Sequence, residues 1–522
     1  MTRYLTLVLL LATGAALLLR WPTFNERPMH NDEAVNAIKF GKLWQEGKYN
    51  YDPNEHHGPS LYYASLALGR LTGAPSFDQY TDARLRLVTV LFGLGLLALL
   101  PLVVDGLGRR GTIWAAIFTA ASPALVSYSV YYIHESLLVF STFLALAAGW
   151  RYWRSRKLGW ILLAGAGLGL MDATKETFVI TLAAAGVAVV LNQAWNRFLD
   201  ASGPPVKAPR LNYWHLAAGF GAWVIVAVLL FTSFFTNASG PLDSLRTYAP
   251  WINRAAGDSP HIHPWHFYLH RLLAFHPARG PFWTEALILF LAIIGAVAGF
   301  RRKRLGGGNA SFVRFLALYS FLLTAIYSFI SYKTPWCIMS PWHGMVLLAG
   351  VGSAVLLRSV RVSAWKPVFA VLLLAGAGHL AWLSWLTNTT YAADPRNPYI
   401  YAQTSRDIFK TIDQIEALAK VHPQGNKMLI QVMSADDDYW PLPWYLRRFE
   451  QVGWWGEIPK NPYAPVMIVS ARMHANLDEK KTHLMVGYFE LRPQVLFELY
   501  VELDLWKEWL AKRGPVATTD PE

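Results

Sequence analysis

Apolar residues in this chain fall into long runs separated by short polar connections, and the pattern persists to about position 390 before it changes character. The runs are 5–19, 85–104, 112–128, 136–150, 158–171, 178–191, 216–235, 282–300, 312–331, 341–357 and 367–386. A helix needs roughly 20 apolar residues to cross a bilayer, and these eleven runs are of that order, several of them shorter. Arg3 before the first run gives it the look of a signal peptide. No small-x-small cleavage site follows, and Arg20-Trp21-Pro22 reads as an interfacial stop, so the run is expected to be a retained span. The two runs flanking Asp172-Ala173-Thr174-Lys175-Glu176-Thr177 are read as separate crossings. A single helix through both would be about 50 Å long and would bury three charges in lipid.

Beyond residue 390 the periodicity changes to that of a soluble fold. A helix is expected over 405–419, strands over 428–433, 466–470 and 484–489, and a last helix over 503–513, with an aromatic segment at 438–447. The expected architecture is a polytopic α-helical membrane protein with about eleven transmembrane helices in 1–390. A C-terminal soluble α/β domain follows in 391–522. Neither a Gly-rich phosphate loop nor another nucleotide motif stands in that domain.

Composition agrees: of 522 residues 54% are hydrophobic and only 16% charged, below the roughly 25% of soluble proteins. The net charge of +13 comes largely from Lys and Arg clusters between apolar runs, which argues for membrane topology and against nucleic acid as a partner. With the N-terminus in the cytoplasm, the connections around 109–110, 151–157, 197–210, 301–304 and 358–366 are all basic and inside, and 391–522 is extracytoplasmic. The first outer loop, 22–84, then shares its face with 129–135, 172–177, 236–281 and 332–340. These five hold most of the acidic and His residues of the membrane part. The single cysteine, Cys337, excludes an internal disulfide and a multi-Cys zinc site, and reads as a small apolar residue near a helix end.

Within the first outer loop, Asp32-Glu33 opens an amphipathic stretch carrying Ala34, Val35, Ile38, Leu43 and Trp44. Two readings stay open: acids placed to cap a helix and complement its dipole, or a general base held at the bilayer surface. His56-His57-Gly58-Pro59 leads into a second helix at Leu61-Tyr62-Tyr63. In 261–270, His263, His266 and His270 share one face if the segment is a continuous helix, and with a carboxylate such as Glu33 or Glu135 they are candidate ligands for a divalent metal. The competing reading is a membrane-surface loop rich in His, Trp and Tyr. Phe267 stands where the metalloprotease signature has Glu.

Asp32-Glu33-Ala34, His57-Gly58-Pro59 with Leu61-Tyr62-Tyr63, Arg86 opening the next span, Ser122-Pro123 followed by Tyr131-Tyr132-Ile133-His134-Glu135, and Gly169 to Glu176 occur in that order. As a set they resemble the membrane glycosyltransferases of the C-type (GT-C) fold, which include protein mannosyltransferases and aminoarabinose lipid A transferases. The likeness is nearest to the archaeal-type N-glycosylation flippase-associated family and covers roughly residues 25–180. Two features depart from it: His57-Gly58-Pro59 replaces the Lys-Pro-Pro of the aminoarabinose type, and the Arg often preceding the acid at Glu135 is absent. The resemblance implies an integral-membrane transferase that moves a sugar from a polyprenyl-phosphate donor to a glycan, lipid or protein acceptor on the outer face. It implies Asp32 as base with Glu33 in support; Lys175, Lys333 and Arg86 as cations for the donor phosphate; and His56, His57, Tyr62, Glu135 and Glu176 as substrate contacts. Two rival readings are a lipid-linked sugar flippase and a non-catalytic accessory protein of glycan assembly. Against the first, the charges gather at one face rather than at mid-bilayer, without paired broken helices.

Overall fold

The computed structural model describes residues 3–24, 26–54, 57–74, 76–198, 212–256 and 261–513. Most of the basic connection 197–210 lies outside the described residues. Contacts divide the chain into two compact units. The first takes Met1–Phe24, Lys42–Ala74 and Thr81–Tyr401; the second takes Asn25–Gly41, Pro75–Tyr80 and Ala402–Glu522. Hydropathy alone places one boundary at 390, because two short stretches of the second unit are embedded among apolar runs in sequence. What assigns them is where their apolar faces go. Phe40 packs edge-on against Phe77 and Tyr80, with ring centroids 6.2 and 5.2 Å apart, and Phe77 against Trp444 at 6.0 Å.

The first unit is helical. Seven helices in the described residues are long and apolar enough to cross a membrane: Arg3–Arg20, Asp82–Leu107, Phe178–Phe198, Tyr213–Phe231, Ala310–Phe329, Pro335–Ser359 and Trp365–Thr387. The pair Arg109–Ala121 and Pro123–Ser129, bent by 54°, makes an eighth if it is one span. Glu135–Ser155, Leu158–Asp172 and Ala286–Arg301 fall on the remaining apolar runs, the first charged at both ends and the other two short. The bend at Ser122-Pro123 has a visible cause. Pro123 interrupts the helical hydrogen bonding, and the buried Glu285 carboxylate accepts from Ser122 Oγ (2.5 Å) and from the Ala124 N–H (2.9 Å). Tyr399 and Trp342 donate to the same carboxylate at 2.7 and 3.1 Å.

Arg20 ends the first helix inside the protein. Its guanidinium is buried, donating to Ser129 Oγ (2.6 Å) and to the carbonyls of Ala16 and Leu125 (2.8 and 3.3 Å). A single charged side chain at the end of an apolar run looks the same in sequence whether it meets water or protein.

The second unit carries a five-stranded sheet of β1 (Ile430–Met433), β2 (Val452–Trp455), β3 (Val466–Ser470), β4 (His483–Arg492) and β5 (Val495–Glu502), in the order β2-β1-β3-β5-β4. β1 pairs in parallel with β2 and β3, whereas β5 runs antiparallel to β3 and β4. Helix Asp407–Val421 lays Ile408, Ile412, Ile415 and Leu418 onto a core with Ile430, Val432, Val466, Ile468, Leu499 and Val501. β2 and β5 are absent from the sequence reading, β2 because its Val-Gly-Trp-Trp run is short and interrupted by glycine.

Candidate active site

Asp32 and Glu33 stand in the first turn of helix Asn31–Glu46 and have opposite fates. Glu33 is fully buried. Its Oε2 accepts from the His30 N–H (2.9 Å) while His30 Nδ1 accepts from the Asp32 N–H (3.1 Å), a reciprocal cap in which a histidine plays the usual Ser or Thr part. Glu33 Oε1 is paired with Arg27 at 3.2 Å. The preceding backbone is equally fixed. The Met29 N–H donates to Tyr445 Oη (2.8 Å), Gln403 Nε2 to the Pro28 carbonyl (2.9 Å), and Thr404 Oγ1 to the Met29 carbonyl (2.7 Å). Asp32, by contrast, is exposed, and among the described residues no side chain pairs with its carboxylate. The capping explanation therefore fits Glu33, and leaves an open carboxylate on a rigid mount.

The second concentration of charge belongs to the helical unit. Lys175 and Glu135, both buried, form an ion pair. Burial alone lowers the Lys175 pKa, but the Glu135 carboxylate more than reverses it, and the ammonium is held above the ordinary lysine range. A void of about 10 Å³, the scale of one water, adjoins the pair and is lined also by Thr177, Tyr327, Trp336 and Cys337. Next along the chain, Glu176 accepts from His57 Nδ1 (2.8 Å) and Tyr51 Oη (3.3 Å). Burial first, and the Glu176 charge second, raise the Tyr51 phenol well above its usual range, so it stays a donor.

The His57-Gly58-Pro59 turn is docked onto the Asp172–Thr177 connection by backbone hydrogen bonds, Gly58 N–H to the Thr174 carbonyl (3.1 Å) and Ser60 N–H to that of Ala173 (2.9 Å). A Cβ on Gly58 would lie 2.2 Å from the Ala173 oxygen, which is why glycine stands there. His134 Nε2 donates to the Gly58 carbonyl (3.0 Å), His57 stacks on Trp251 (5.1 Å, 14°), and Tyr62 sits buried with its ring edge-on to His134 (5.7 Å). Thus His57, Tyr62, Glu135, Lys175 and Glu176 form one contiguous cluster. His56 lies outside the described residues.

Lys333, Arg86 and the histidines of 261–270 have partners within the protein. Lys333 is buried, and its ammonium is spent on the carbonyls of His263 (2.9 Å) and Ile330. Arg86 is also fully buried and donates to the Phe24 carbonyl (2.9 Å). The histidines do not share a helical face, because helix Phe267–Leu273 starts after His263. His263 instead stacks on Phe267 (4.2 Å) and hydrogen-bonds Tyr401 Oη (3.2 Å), as does His261 (2.6 Å). Among the described residues no group of three His, Cys, Asp or Glu side chains is placed to hold a metal ion. The sequence reading missed Glu285, a lone acid near the start of the 282–300 apolar run whose only sequence signal is its improbable position.

Residues 37–239 match the family model described as dolichyl-phosphate-mannose-protein mannosyltransferase, a match that begins just after Asp32. No curated protein sequence matches the chain. Among solved structures, ArnT from Cupriavidus metallidurans bound to undecaprenyl phosphate superimposes with a TM-score of 0.63 at 14% identity, covering 95% of this chain and 98% of that one. The Archaeoglobus fulgidus oligosaccharyltransferase tethered with an acceptor peptide gives 0.51 at 13% identity over 86% of this chain and 63% of its own. The arabinofuranosyltransferase AftD from mycobacteria gives 0.50 at 16% identity over 96% and 41%. Spans, sheet unit and matched segment together give this chain the GT-C fold, that of the polytopic membrane glycosyltransferases.

Proposed function

We propose that the chain is an integral-membrane glycosyltransferase of the cell membrane that moves a sugar from a polyprenyl-phosphate donor to an acceptor on the outer face, with inversion. In this reading the chain crosses the membrane eleven times from a cytoplasmic N-terminus. The observation that carries the reading is the presentation of Asp32: an exposed carboxylate at a helix start, next to a Glu33 that is committed to Arg27 and the His30 N–H. Such a group suits a general base. The acceptor hydroxyl gives its proton to Asp32 as its oxygen bonds the anomeric carbon, and the bond from that carbon to the phosphate oxygen breaks with its electron pair leaving on the lipid phosphate. Inversion follows from a single displacement.

The departing phosphate needs a cation. Lys175, kept charged by Glu135, fills that role in the proposal, with the phosphate replacing Glu135 as partner. His57, Tyr62 and Glu176 shape the sugar subsite. ArnT, whose structure contains undecaprenyl phosphate, supports a lipid phosphate as the donor class.

The test is transfer by the purified full-length protein from polyprenyl-phosphate-linked sugars to glycan, lipid and peptide acceptors, with the product anomer read by NMR. An inverted product, and loss of rate by about 10²- to 10⁴-fold in Asp32→Asn, is the expected result. Undiminished transfer by Asp32→Asn removes the base, and a retained anomer removes the single displacement. Movement of labelled donor between leaflets without transfer favours the flippase reading instead.

A further inference from the structure

The helical unit has a second polar centre at its other end. Helices Glu135–Ser155 and Met339–Ser359 both begin at the void beside Lys175, and each runs for 21 residues. At 1.5 Å per residue that is about 30 Å, the thickness of a bilayer's hydrocarbon core. At their far ends, Arg151 and Arg358 join Arg109, Arg110, Asp105 and Gly306 in lining a cavity of about 680 Å³.

Four guanidiniums thus face one carboxylate, and that carboxylate is already engaged. Asp105 accepts from Trp150 Nε1 (2.9 Å) and pairs with Arg151 and Arg154 at 3.4 Å each. Arg358 is built in: it donates to the carbonyls of Arg304 and Gly306 at 3.0 Å each. A Cβ on Gly306, which has φ +58°, would lie 0.9 Å from Arg358 Nη1, so the loop is shaped around that side chain. Arg109 and Arg110 are exposed, and among the described residues neither side chain has a hydrogen bond or ion pair. Basic residues at helix ends ordinarily set only membrane orientation. That role requires charge but not a shared cavity, nor arginines brought to it from three separate parts of the chain, one of them seated on a glycine loop.

We propose that this cavity is a binding site for a phosphate or diphosphate group, with Arg109 and Arg110 supplying uncommitted charge and Arg358 a fixed donor face. The proposal is independent of the transfer reaction. The group can be a lipid headgroup or a soluble anion, and two arms separate them. In one, sodium pyrophosphate is titrated against thermal unfolding of the full-length protein in detergent at constant ionic strength. In the other, lipid retention is read by native mass spectrometry from nanodiscs of phosphatidylcholine with or without phosphatidylglycerol.

A pyrophosphate-dependent rise in Tm assigns a soluble anion, and selective retention of phosphatidylglycerol assigns a headgroup. In either case R109Q/R110Q weakens binding by about tenfold or more, while R301Q/K303Q, which removes the same charge from exposed positions outside the cavity, does not. The single variants R109Q and R110Q serve if the double variant does not fold. Binding of neither probe, or equal loss in the control pair, overturns the proposal.

Discussion

Two charged pairs in this chain look alike in sequence, Asp32-Glu33 and Lys175-Glu176, and the structure treats them differently. In the second, both residues are buried and committed, Lys175 to Glu135 and Glu176 to His57 and Tyr51. In the first, Glu33 alone is committed, to Arg27 and the His30 N–H, and Asp32 is left open to solvent. Burying an ionised group is tolerable only with a partner, so the committed residues act on the structure first. An open carboxylate beside a locked one is free to act on something else. The difference teaches that the unit of function here is the single residue within a motif.

The largest effect should come from splitting the first pair. Asp32→Asn is expected to abolish nearly all sugar transfer while leaving thermal unfolding close to wild type. Glu33→Gln should do the reverse, removing the carboxylate that pairs with buried Arg27 and costing about 3 kcal/mol of stability, read in chemical denaturation, with residual activity in the molecules that remain folded. If both variants lose activity alone and neither loses stability, the two carboxylates share one role and the contrast fails.

The second pair is tested by a cycle on the buried ion pair. Glu135→Gln and Lys175→Met should each destabilise. Their combination should destabilise by less than the sum, with a coupling of about 1–3 kcal/mol. If the phosphate replaces Glu135, then Lys175→Met also raises the donor KM more than Glu135→Gln does. Additive stability losses would mean that the contact contributes nothing beyond its separate members.

Most of the architecture was legible because it rests on long apolar runs and on a change of period near residue 390, both large signals. The motifs were legible as candidates, and the docking of His57-Gly58-Pro59 onto Asp172–Thr177 explains why two stretches over a hundred residues apart belong to one cluster. What hydropathy does not carry is the partner of a buried charge. Arg314 reads as a basic interruption near the start of an apolar run, yet its Nε and Nη2 donate to Asn192 and Asn196 at 2.9 and 2.8 Å. Lys333 likewise reads as a membrane-surface cation, and only the bridge between Ile262 and Tyr332 brings the carbonyl that engages it. For the same reason, Asn25–Gly41 cannot be assigned to the C-terminal unit without knowing that Phe40 meets Phe77 and Tyr80.

Gly58→Ala probes the docking itself. The added Cβ meets a backbone oxygen that cannot rotate away, so the turn must shift, at a cost of about 1–3 kcal/mol. Because the shift moves His57 relative to Glu176, transfer should fall more than stability does. A variant as active and as stable as wild type would show that the turn has slack.

The smallest effect is a pH dependence at the edge of the helical unit. Burial first, then the charges of Arg271, His261 and Lys333, lower the His263 pKa from its ordinary 6.5. An imidazole depressed in the folded state takes up its proton more readily once unfolded, so stability is fully present above 6.5 and declines as pH falls toward the lower folded value. Around it, His261 and His263 share the Tyr401 hydroxyl and Lys333 holds the His263 carbonyl, so protonation adds like charge to a crowded segment. Thermal unfolding of the wild type should therefore drop slightly between pH 7 and pH 5, and His263→Asn should flatten part of that slope. Because His263 is only partly buried, the change is small, and a slope equal in both proteins would place the titrating group elsewhere.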